Sequence, residues 1–129
     1  MSFIETPLKD AKEKEPVAEG DYDLIIEDAQ LIEDKGKRRV SVRLSIEGEP
    51  DAAHVFHNIF LDLPEDENKR TTQLGFTNAF LDLFEIPRKG SGFDMDELPG
   101  SRATCKLTQE EYEGNISNRI KLRPKGWKS

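Results

Sequence analysis

Two stretches of this sequence interleave cations with aliphatic residues at a spacing of two. In the first, Arg39, Ser41, Arg43 and Ser45 alternate with Val40, Val42, Leu44 and Ile46. In the second, Ser117, Arg119, Lys121 and Arg123 alternate with Ile116, Asn118, Ile120 and Leu122. Side chains of an extended strand point alternately to opposite faces, so one set enters a core and the other presents guanidinium, ammonium and hydroxyl groups. Such groups neutralise phosphates. Between the two stretches, His54, Phe56, Asn58 and Phe60 share one face, and Val55, His57, Ile59 and Leu61 the other. The aliphatic set suits the core despite His57, which leaves Phe56 and Phe60 exposed or half-exposed beside the cations. Cations combined with aromatic platforms are what a single-stranded polynucleotide needs, at roughly 1–3 kcal/mol per stacked base. Two plainer readings stay open: Lys and Arg are ordinary on any solvated strand face, and a covering arm or partner subunit would bury both rings.

Other reactive residue types point away from catalysis. His54 and His57, three apart on a strand, face opposite sides and do not share a metal ion. Gly36-Lys37 lacks the earlier glycine and the following Ser or Thr of a phosphate-cradling loop. Cys105 alternates inward with Ala103 and Leu107, as a small buried hydrophobe does. Asp94, Asp96 and Glu97 form a carboxylate cluster that suits a solvated loop, or else a divalent-metal site in a hydrolase or nuclease with magnesium-dependent turnover. The expectation is a binding protein without cofactor or metal, not an enzyme.

The chain has 129 residues, enough for one domain with a modest core. Charged and hydrophobic residues each make up 35%, so tails or long loops are expected outside that core. One cysteine excludes an intrachain disulfide framework and fits a reducing compartment. No apolar run approaches a membrane span, and the first residues lack the layout of a secretory signal, so a cytoplasmic protein is expected. Asn115-Ile116-Ser117 then matches a glycosylation sequon only by chance. The net charge of −7 argues against a nonspecific coater of duplex DNA. Its distribution is uneven: residues 1–34 hold 3 basic and 11 acidic residues, residues 35–47 hold 5 and 1, and residues 101–129 hold 7 and 3. The cationic segments coincide with the expected strands.

The elements that must position these groups follow in order. Residues 1–19, rich in Lys and Glu with Pro7 and Pro16, predict a mobile acidic arm. A long first strand opens at Gly20 and needs a bulge near Asp28 to keep its apolar spacing through Leu31. Asp34-Lys35-Gly36-Lys37 is a turn, with Gly36 suited to positive φ, and strand two follows at once. After a break at Gly48-Glu49-Pro50-Asp51, strand three spans residues 54–63. A helix is expected next, capped within residues 64–68. Its apolar stripe runs through Leu74, Phe76, Thr77, Phe80, Leu81, Leu83 and Phe84, and Pro87 ends it. Residues 88–92 read as a flexible link and residues 93–98 as a short helical turn. Strand four covers residues 101–108, a loop residues 110–115, and strand five residues 116–123.

Three strands, a helix and two more strands is the element order of the OB-fold, a five-stranded Greek-key barrel in an otherwise all-β chain. That fold binds oligonucleotides on strands two and three and with the loops joining strands one to two and four to five. The domain is expected over residues 20–124, followed by a basic tail, 125–129. On that frame Arg39, Arg43, Arg119 and Lys121 neutralise phosphates, with Lys35, Lys37, Arg38 and Lys106 at the margins. Phe56 and Phe60 stack bases, with Tyr112 and Trp127 as further candidates. The expectation requires the two cationic stripes to lie side by side along one groove of a closed barrel. The competing reading is an OB-like protein-interaction module, with Phe56 and Phe60 in a homodimer or partner interface and no nucleic acid.

Several short segments add a resemblance. Gly20-Asp21-Tyr22 leading a strand, Lys35-Gly36 in the first turn, Glu97-Leu98-Pro99-Gly100, Glu111-Tyr112-Glu113-Gly114-Asn115 and Asn118-Arg119-Ile120 resemble a family of bacteriophage proteins long catalogued as a domain of unknown function. The resemblance covers roughly residues 17–124. Members are found near phage replication genes and are similar to single-stranded DNA-binding proteins with an OB-fold. The resemblance implies an accessory of phage DNA replication or recombination in the bacterial cytoplasm, with single-stranded DNA and replication proteins as partners and no catalytic residues. Many such proteins end in an acidic partner-recruiting tail; this chain ends Trp127-Lys128-Ser129. The acidic N-terminal arm either replaces that tail or competes with DNA for the cationic groove.

Overall fold

The structure, a computed structural model, describes residues 14–123. Its strands are β1 (Gly20–Asp34), β2 (Lys37–Ile46), β3 (Val55–Phe60), β4 (Arg88–Lys89), β5 (Gly92–Phe93), β6 (Arg102–Tyr112) and β7 (Asn115–Ile120). Helix α1 (Glu67–Leu83) lies between β3 and β4, and one 3-10 turn spans Met95–Glu97. Five strands form an antiparallel sheet in the order β3-β2-β1-β6-β7.

The long first strand serves two partners. Its first residues pair with β6, from Gly20↔Leu107 to Ile25↔Arg102, and from Leu24 onward it pairs with β2 to Asp34↔Lys37. The ladder slips between Ile26 and Asp28, so the expected bulge falls at Glu27. An extra residue there bends the strand and lets it curve from one partner to the other. Lys35 and Gly36 then turn the chain with φ of 52° and 78°, two successive left-handed residues as a two-residue hairpin requires.

Alternation determines what enters the core. Leu24 and Ile26 from β1, Val40, Val42, Leu44 and Ile46 from β2, Val55 and Ile59 from β3, and Cys105 and Leu107 from β6 are all buried. Phe80, Leu81 and Phe84 of the helical segment close over them, together with Ile86 and Leu98. Each such side chain contributes about 1.5–3 kcal/mol when fully buried. The Asp66 carboxylate caps α1 by accepting from the Lys69 backbone N–H at 3.0 Å. Leu74, expected on the apolar stripe, is exposed.

Three local expectations are corrected. Residues 88–92 are not a plain link: β4 and β5 form a small hairpin, Arg88↔Phe93 and Lys89↔Gly92. Arg88 holds it to the end of α1, donating to the Ile86 carbonyl at 2.7 Å and pairing with Asp82 at 2.8 Å. The expected loop over residues 110–115 is mostly ladder, because Glu113 and Gly114, with φ of 50° and 82°, turn β6 directly into β7. Residues 14–19, the end of the expected arm, lie against the sheet. Val17 donates to Asn118 Oδ1 at 2.8 Å, and its carbonyl accepts from Asn118 Nδ2 at 2.9 Å. Farther along the same segment, the Glu15 carbonyl accepts from Ala53 N at 2.8 Å.

The sheet is not closed into a barrel. Among the described residues no ladder joins β3 to β7, the two edges. Both edges are only 6 residues long, and after Ile120 the chain stays beside β6, with Lys121 N donating to the Lys106 carbonyl at 2.9 Å. A cleft of about 550 Å3 opens instead between β3, α1 and the residues Ile120 and Leu122. No helix among the described residues is long and apolar enough to cross a membrane.

Candidate nucleic-acid interface

The register of β2 and β3 builds the surface that the alternation anticipates. Arg39 lies opposite Phe60, Ser41 opposite Asn58, and Arg43 opposite Phe56. Residues directly opposite in a ladder share a face and touch. On the other flank of β2 the same rows continue into β1 as Ile32, Gln30 and Asp28. The face therefore reads arginine beside ring at each end, with a hydroxyl and two amides between. Phe56 is 49% exposed and Phe60 53%. Four residues apart on a strand, the rings sit about 13 Å from each other and form two separate platforms.

The second stripe is divided. Arg119 reaches across the open edge, its Nη1 donating to the Phe56 carbonyl at 3.4 Å. Arg119 thus joins the Arg43–Phe56 end of the face. Lys121 does not follow it: it borders a different cavity between α1 and the end of the described chain, with Arg88 and Arg123. The two stripes meet at one point and do not run in parallel, because closure stops short after Ile120. At the opposite end of the face, the exposed Lys35, Lys37 and Arg38 surround the hairpin beside Arg39.

The remaining expected residues lie elsewhere. Lys106 sits on β6 opposite Asp21, in a part of the sheet where acids and bases match. There the Thr104 hydroxyl donates to Asp23 at 2.6 Å and Arg102 pairs with Glu47 at 3.1 Å. Tyr112, 73% exposed, stands at the tip of the β6–β7 hairpin opposite Asn115, four ladder positions beyond the Thr108↔Arg119 pair. Glu110, Glu111 and Glu113 flank it, which is unfavourable for a polyanion. Trp127 lies outside the described residues.

Charge partners on the face and at its hairpin margin were not expected from the sequence. Arg43 pairs with Glu27 at 3.9 Å, Arg38 with Asp62 at 3.8 Å and Arg119 with Glu110 at 3.2 Å. The Glu27 carboxyl is held below its ordinary range, first by a hydrogen bond from Ser45, which outweighs the opposing cost of desolvation, and then by the charges of His54 and Arg43. Arg39 differs: it has no ion pair among the described residues, and its Nε is buried without a hydrogen-bond partner. A carboxylate placed one residue before a needed bulge was the only available signal, and it pointed to Glu27 alone.

The two histidines part as their spacing requires. His57 stacks on Phe80 with ring centroids 4.3 Å apart and an angle of 12°. Burial, with Arg119 nearby, pushes its pKa down to about 4, so at neutral pH it is an uncharged member of the core. His54 lies on the other side with Nε2 3.5 Å from Glu27. The Cys105 thiol is pushed up to about 12, first by burial and then by the charge of Asp23, so it holds its proton and acts as a small apolar group. No group of three or more possible ligands gathers to hold a metal among the described residues. The chain matches no family model and no curated protein.

Proposed function

We propose that this chain binds single-stranded DNA with little sequence preference, across the outer face of β2 and β3. The carrying observation is the pairing of a half-exposed ring with an arginine at each end of that face, Phe60 with Arg39 and Phe56 with Arg43. Rings stack on any base and guanidinium groups track the backbone, so such a surface reads the polymer and not the sequence. The element order supports an OB-type domain whose last edge stays open, and the resemblance to the phage family supports a role in phage or mobile-element replication or recombination within the bacterial cytoplasm. Arg119 extends the cationic track from β7, and Lys35, Lys37 and Arg38 extend it at the hairpin.

Fluorescence anisotropy with labelled oligothymidylates of increasing length tests this reading. Affinity rises with length up to the site size and falls steeply with salt, because each neutralised phosphate releases counterions. An absence of length-dependent binding at low salt overturns it. One observation favours the protein-interaction reading: Leu63 and Leu74 are also exposed, and they border a cleft of about 410 Å3 that Phe60 shares. That reading requires self-association or capture of a protein partner in the absence of DNA, which sedimentation of the purified chain measures.

A further inference from the structure

We infer that Glu27, Asp62 and Glu110 occupy the phosphate positions of the free protein, so that DNA binds by exchange of three intramolecular carboxylates for backbone phosphates. The inference rests on the proposed single-stranded DNA face and concerns how that face discriminates.

Two arginines of the face, Arg43 and Arg119, and Arg38 at its hairpin margin are each met by one carboxylate, and the carboxylates come from three different places in the fold. Glu27 is the unpaired residue of the β1 bulge, and its carboxylate reaches over β2 to Arg43 Nε at 3.9 Å. Asp62 follows β3 and meets Arg38 twice, accepting from its backbone N–H and lying 3.8 Å from its guanidinium. Glu110 projects from β6 to Arg119 Nε at 3.2 Å. Carboxylate and phosphate are alternative partners for the same planar donor fork.

All six side chains are partly exposed, and ion pairs open to solvent are weak. Such pairs are exchangeable. An isolated anion gains little by displacing one of them, because the freed carboxylate repels it. A polymer that replaces all three at once gains from its charge density and from the counterions it releases. Together with the net charge of −7, this makes the face selective for polyanions over single anions. It also predicts a salt dependence that is less steep than the number of phosphate contacts alone would give, because each freed carboxylate gathers part of the cations that the phosphate gives up.

The test compares the full chain with the triple variant Glu27→Gln, Asp62→Asn, Glu110→Gln. A control variant, Glu49→Gln, Glu65→Gln, Glu85→Gln, makes the same change in net charge at exposed positions with no ion pair on this face. The probe is an oligothymidylate about 30 nucleotides long, enough for more than one site. Each removed pair tightens binding about two- to fivefold, and the triple variant gains at least about tenfold. Its salt dependence steepens, by up to about 0.7 in log K per log salt for each arginine released. The control gains much less and keeps the original slope. Equal gains in both variants, or weaker binding by the triple variant, overturn the inference and leave the DNA reading standing. No binding by any of the three proteins overturns both.

Discussion

Strands β2 and β3 present two faces built on one register, and the faces share almost nothing. Inward, Val40, Val42, Leu44, Val55 and Ile59 are excluded from water, and His57 lies flat on Phe80. Outward, at alternate positions of the same strands, Arg39, Arg43, Phe56 and Phe60 are wholly or partly exposed. Aromatic rings occur on both sides, so hydrophobicity alone does not separate them. The inner face holds the domain together. Half-exposed rings add little to that task, and their pairing with arginines gives the outer face a separate use.

The comparison makes two kinds of variant behave oppositely. Ile59→Ala on the inner face lowers stability by about 2–5 kcal/mol through lost burial and a cavity. Denaturant unfolding reads that loss, while the folded fraction keeps its affinity for oligonucleotide. His57 sharpens the same contrast through pH. Its folded pKa of about 4 lies below the ordinary 6.5, so between these values the unfolded chain binds more protons. Stability is therefore full above about pH 6.5 and falls as pH drops toward 4, by on the order of 3 kcal/mol in all. His57→Phe, which keeps a ring against Phe80, flattens that dependence in unfolding curves recorded across the window.

Outer-face variants spare stability and lose binding. Arg39→Glu with Arg43→Glu weakens oligonucleotide affinity by on the order of a hundredfold, since a charged hydrogen bond contributes about 1.5–3 kcal/mol. It also flattens the salt dependence, by up to about 1.4 in log K per log salt, and the midpoint of unfolding stays in place. Unchanged affinity would move the binding surface elsewhere. Phe56→Ala and Phe60→Ala each cost about 1–3 kcal/mol of binding and roughly 0.5 kcal/mol or less of stability. A stability loss as large as that of Ile59→Ala would mean that a further segment covers these rings.

Period-two alternation made both faces of β2 and β3 legible in the sequence, down to which rings stay outside. The bulge was legible because β1 is too long to keep one register, and α1 because Phe80, Leu81 and Phe84 fall on one side of a helix. What the sequence did not disclose depends on residues far apart in the chain. The Arg119 contact with the Phe56 carbonyl and the carboxylate partners of the three arginines leave no periodic trace. The tight β6–β7 turn was missed because Glu113 takes a positive φ, which is uncommon outside Gly, Asn and Asp. The barrel expectation failed at its last seam for a related reason: element order sets the neighbours of each strand, but not whether two short edges finally bond.

Residues 14–19 give that open seam a mechanical consequence. Glu15 is fastened to Ala53 just before β3, and Val17 to Asn118 in β7. This short run is a buckle across the slit, joining the two rims that have no hydrogen-bonded ladder between them. Removing it would let the rims spread and carry Arg119 away from Phe56, and any load applied upstream of Lys14 would pull first on this fastening.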